Sequence, residues 1–113
     1  MNGYTKYLNE TIATLKEEEA ALVEENRKDE ANFIRVKSNI CEICKTIYRV
    51  SSESKTGEEL KEEYLRRLTR LPENWKISLG KAKEHGEIQK VIIEEIKLEM
   101  LQELVNKFEE TGV

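Results

Sequence analysis

The sequence predicts an all-α protein, a compact antiparallel bundle of four to five helices. Three observations predict it. Apolar residues recur at three- and four-residue spacing along most of the chain, and no stretch alternates with period two. Charged residues make up 37% of the sequence and are mostly Glu and Lys, both strong helix formers. Pro occurs once and Gly five times, too few turn residues for a protein of many short strands. A length of 113 residues suits one domain, residues 1–113, with its own core.

The first predicted helix covers residues 4–25. Tyr4, Leu8, Ile12, Leu15 and Leu22 share one face, with Val23 at its edge. The second covers residues 28–50 and carries the strongest apolar stripe: Phe33, Val36, Ile40, Ile43, Ile47 and Val50. Cys44 falls within that stripe, and Ile34, Cys41 and Tyr48 lie along its edge. The junction permits two paths. Leu8, Leu15, Leu22, Val36, Ile43 and Val50 hold one heptad register across it, so residues 4–50 could form a single rod of roughly 70 Å, a coiled-coil arm. The alternative is a turn at Asn26, since Asn tolerates the left-handed conformation that ends helices. The string Asn26-Arg27-Lys28-Asp29-Glu30-Ala31 resembles the turn between paired helices of tetratricopeptide-type hairpins, with Asn where Gly is usual. That resemblance covers six residues, lacks the family's repeat, and implies a hairpin turn and nothing functional. The turn is the reading adopted, because it leaves helices of matched length for a bundle.

Residues 51–57 read as a polar loop, and Thr56 with Glu59 as a capping box opening a third helix over 58–70. That helix buries Leu60, Tyr64, Leu65, Leu68 and Leu71, and Pro72 stops it or opens the next helix at its first position. A fourth helix over 73–85 aligns Trp75, Leu79, Ala82 and Gly86, with Trp75 as a core anchor. Lys81, Lys83 and His85 before Gly86 form a helix stop, against the alternative of one kinked helix through Gly86. The fifth helix, residues 87–110, is apolar on more than one side. A helix of that kind is either central in a core or covered by a second chain, which predicts a homodimer. The second and fifth helices should form the core, Phe33, Ile40, Ile43 and Ile47 packing on Ile92, Ile96, Met100 and Leu104. If Ile96 is buried there, Ile96→Ala should cost about 2–5 kcal/mol.

Charge excludes little but is unevenly spread. The net charge of −4 argues against general affinity for nucleic acid. Residues 10–32 and 84–113 are each net −5, whereas residues 64–83 hold six bases and one acid, net +5. The six bases, Arg66, Arg67, Arg70, Lys76, Lys81 and Lys83, are the candidate site for an anion or a partner. Their simplest role is to face the acidic first and fifth helices, within one chain or across a dimer. An acidic protein and nucleic acid are the alternatives. No apolar run approaches the roughly 18 residues of a membrane span, residues 1–15 lack a secretion pattern, and two cysteines make no disulfide framework. These features predict a cytoplasmic protein.

Catalytic and cofactor patterns are sparse. Cys41-x-x-Cys44 lies mid-helix with no preceding strand, and it supplies two thiols where a zinc site needs four ligands. Packing is the expected role. His85, the one histidine, reads as a helix-end charge, and Glu19 as a solvated break in the first helix's stripe. Glycine-rich phosphate loops, a Ser/His/Asp order and a metalloprotease helix do not occur. The expectation is therefore a non-enzymatic interaction or scaffolding protein without metal or cofactor. A module binding anions or nucleic acid through residues 64–83 is the alternative.

Overall fold

Two residues in the left-handed region set the path of the chain. A computed structural model describes residues 3–111, which form five helices: α1 (Gly3–Glu24), α2 (Lys28–Ser54), α3 (Gly57–Arg70), α4 (Glu73–Glu84) and α5 (Ile88–Thr111). No strand occurs among the described residues. Asn26 takes φ 62°, which ends α1 and excludes the rod. The Arg27 amide donates to the Leu22 carbonyl at 2.8 Å and the Asn26 amide to that of Val23 at 3.0 Å. Gly86, at φ 65°, repeats the motif after α4. There the Glu87 amide donates to Ala82 at 2.9 Å and the Gly86 amide to Lys83 at 3.3 Å. This paired closure satisfies the last carbonyls of each helix. His85 adds a third bond, its Nδ1 donating to the Lys81 carbonyl at 2.8 Å.

The first turn folds α1 antiparallel onto α2. Arg35 meets Glu19 at 2.8 Å and Lys16 meets Glu42 at 3.5 Å. The second turn folds α4 onto α5 in the same way, with the Lys97 ammonium 5.8 Å from the centre of the Trp75 ring. The pairing of α2 with α5 joins the hairpins, as the sequence predicts. These two run parallel: Tyr48 meets Phe108, and the Cys41 thiol lies in the field of Glu103. Both hairpin turns therefore sit at one end of the molecule. Between α3 and α4 the backbone stays close to helical, with Leu71 at φ −56°, ψ −42° and Pro72 at φ −81°, ψ −4°. The missing Pro72 amide breaks the ladder there, and α3 and α4 follow α5 backwards as one bent rail.

The core sits at the other end, where four helices each contribute an aromatic ring. Tyr4, Tyr48, Tyr64 and Phe108 meet edge to face, with centroids 4.8 Å apart for Tyr64 and Phe108 and 4.9 Å for Tyr4 and Phe108. Such pairs add about 0.5–1.5 kcal/mol each beyond the burial of their area. Leu8, Ile12, Leu15, Ile40, Cys41, Cys44, Leu60, Leu68, Met100, Leu101 and Leu104 extend the cluster along the bundle.

Several expectations are corrected. Helix α2 runs on to Ser54, so the polar loop shrinks to Lys55 and Thr56. The Ser52 hydroxyl donates to the Arg49 carbonyl and Arg49 pairs with Glu53, which extends the helix. The capping box does not form: Thr56 makes no side-chain cap, and Glu59 lies 3.9 Å from Lys55 instead. The buried face of α2 is turned toward Ser38, Cys41, Cys44, Tyr48 and Ser51, which leaves Ile43 39% and Val50 37% exposed. Helix α5 is central only in its second half. Met100, Leu101, Leu104 and Phe108 are buried, Ile96 is half-buried, and Ile88 and Ile92 are exposed. Trp75 is half-buried at the core's edge.

Candidate functional site

The six candidate bases divide into two groups. Arg66 and Arg67 both bind Glu63, one turn back on α3. The two guanidiniums, Arg66 first, hold the Glu63 carboxyl down to about 2. Spacing of i−3 and i−4 in the sequence is the signal for this clamp, and it ties both arginines to their own helix. Arg70, Lys76, Lys81 and Lys83 have no ion pair among the described residues, so no direct pairing joins them to the acidic α1 and α5. Lys81 and Lys83 are exposed on the last turn of α4, where the helix dipole favours them. Nor do α3 and α4 pack face to face as a DNA-reading helix pair does, because they lie end to end along α5.

Where the rail bends at Pro72, it stands away from α5 and leaves a groove of about 490 Å³. Leu65, Leu68, Leu98, Leu101 and Val105 make an apolar floor. Polar groups on the walls are satisfied locally: the Thr69 hydroxyl donates to the Leu65 carbonyl at 2.8 Å, and the Gln102 amide donates to Asn106 at 2.9 Å. Lys76 stands at the end nearer α4 and Glu109 at the other. Neither makes an ion pair among the described residues. Of the floor residues, the sequence reads Leu65 and Leu68 as inward-facing on α3, whereas Leu98 and Leu101 read only as part of an apolar helix. That α3 would bow away from them depended on Pro72 and on what α5 left uncovered.

The buried polar centre is a structural network. The Tyr4 and Tyr64 hydroxyls are 2.6 Å apart inside the core, with the Cys44 thiol buried beside them. Burial pushes both phenols up, away from ionisation. It also raises the Cys41 thiol to about 11, helped by Glu103 and Glu42, and the Cys44 thiol to about 12. A thiol that is buried and held protonated is a poor nucleophile. Glu94 on α5 is a second buried polar group that periodicity missed. One of its oxygens takes Lys97 at 3.1 Å, and the other has no hydrogen-bond partner. Among the described residues, no three His, Cys, Asp or Glu side chains converge to hold a metal ion. Nor is any helix among them long and apolar enough to cross a membrane.

No protein-family model matches this chain, and neither curated proteins nor solved structures gave a significant match.

Proposed function

We propose that this protein is a non-enzymatic helical interaction module that self-associates through the outer face of α2. The observation that carries the reading is the column Val36, Ile43 and Val50. It recurs every seven residues and faces away from the core, with Ile43 39% and Val50 37% exposed. The bundle is flattened, at 43 × 34 × 21 Å, and its radius of gyration of 15.4 Å exceeds the roughly 13 Å typical of a globule of this length. A slab two helices thick buries few residues on both sides. A stable pair needs roughly 800 Å² from each partner, and the broad face has room for it. Helix columns of this spacing interdigitate across a two-fold axis. Free thiols at Cys41 and Cys44 suit a reducing, cytoplasmic setting.

Sedimentation across a concentration series tests the reading. The full chain should run as a dimer, and Ile43→Glu should run as a monomer of unchanged helicity, because Ile43 is outside the core. A wild-type chain that stays monomeric at its highest soluble concentration would sink the proposal.

One observation favours a second reading, an anion- or nucleic-acid-binding module: four of the six bases of residues 64–83, Arg70, Lys76, Lys81 and Lys83, make no ion pair among the described residues. Binding to a nucleic-acid duplex that weakens steeply with salt, and is lost in Arg70→Glu/Lys76→Glu, would support it. It ranks second because Arg66 and Arg67 are held by Glu63 and the chain as a whole is acidic.

A further inference from the structure

We infer that the groove between α3 and α5 is a docking site for a short amphipathic helix of another protein, one with an apolar face and carboxylates near its C-terminal end. The dimensions come first. From Leu98 to Glu109 the α5 wall spans eleven residues, about 17 Å at 1.5 Å per residue, which is three helical turns. The floor is built from Leu65, Leu68, Leu98, Leu101 and Val105, and the wall polar groups Thr69 and Gln102 are already bonded within their own helices. An occupant therefore gains by filling the floor with apolar side chains, which a helix supplies at i, i+3 or i+4, and i+7.

Charge then fixes the direction. Lys76 and Glu109 face the groove at opposite ends. Neither has an ion pair among the described residues. A helix carries partial positive charge at its N-terminus and negative charge at its C-terminus. The bound helix lies with its N-terminus at Glu109 and its C-terminus at Lys76, antiparallel to α5 and along the direction of α3. Carboxylates in its last turn meet Lys76. A second copy of the chain does not need this groove, since Ile43 and Val50 lie outside it. The self-association proposed above and this docking site therefore stand or fall separately.

The test is selection from a displayed library of peptides about three helical turns long against the full chain. Peptides that also bind the Gln102→Trp variant are removed. Gln102 is exposed on the wall, so the indole fills the groove without opening the core. Enriched sequences should carry apolar residues at helical spacing and Asp or Glu in the last turn. Lys76→Glu should weaken them about threefold to fivefold, the size of one exposed ion pair. A spin label on the peptide's C-terminus should broaden amide signals near Lys76 rather than near Glu109. Failure to enrich any Gln102-dependent peptide would overturn the site. So would enriched peptides without helical spacing, or a label that maps to Glu109. Conversion of the chain from dimer to monomer by Gln102→Trp would also overturn it, because the occupant would then be a second copy.

Discussion

The Tyr4 and Tyr64 hydroxyls face each other in a core that water does not reach. A polar group stranded there costs about 1–3 kcal/mol, whereas removing both partners costs much less per group. Tyr64→Phe should therefore lower stability by about 1–3 kcal/mol, because it leaves the buried Tyr4 hydroxyl unsatisfied. Adding Tyr4→Phe should cost less than the sum of the single changes, measured by urea unfolding of all three variants. The thiols predict a pH dependence. Their folded values, about 11 for Cys41 and about 12 for Cys44, lie above the ordinary 9.0. Stability from this source is fully present below pH 9.0 and is lost as pH rises through those values. The melting temperature should fall on going above pH 9.0, and Cys41→Ala/Cys44→Ala should flatten that fall. Tyr4 and Tyr64, also raised, keep part of the slope. A thiol reagent should leave both cysteines unmodified until the chain unfolds. Glu63 works in the opposite sense: its carboxyl is lowered, so its contribution is lost as pH falls through about 2.

Helix ends were legible because they depend on a few adjacent residues. Asn26 and Gly86 were both readable as stops, and both adopt positive φ. An added Cβ at Gly86 would meet nothing within 4 Å, so Gly86→Ala should cost only the left-handed backbone penalty, about 1–2 kcal/mol. Asn26→Gly should hold or raise the melting temperature, while Asn26→Ala lowers it. If both Asn26 variants melt alike, the turn geometry is not what limits the hairpin. The capping box at Thr56 was misread for a reason at the same scale. Gly57 enters α3 at φ 59°, and Thr56 makes no side-chain cap. A two-residue pattern is too short to report that backbone.

The all-α bundle follows from periodicity, but the depth of each apolar position follows from packing. Leu104 is wholly buried and Ile96 half-buried, though both belong to the same apolar helix. Leu104→Ala should cost about 2–5 kcal/mol and Ile96→Ala clearly less, compared by thermal unfolding. Equal losses would mean that the N-terminal half of α5 is covered in solution. Sequence alone determined that this chain is helical, where all five helices begin or end to within a few residues, and that α2 and α5 pair. Those features arise from local propensity, from a repeat near 3.6 residues, and from stop residues, all carried by near neighbours. Only the tertiary structure decided which part of α2's wide stripe turns inward, that α2 and α5 lie parallel, and that the bend at Pro72 opens a groove. Each of these depends on competition between helices distant in sequence for a limited buried area. The stripe of α2 is wider than its partners can cover, so one edge had to remain outside, and no single helix's pattern specifies which.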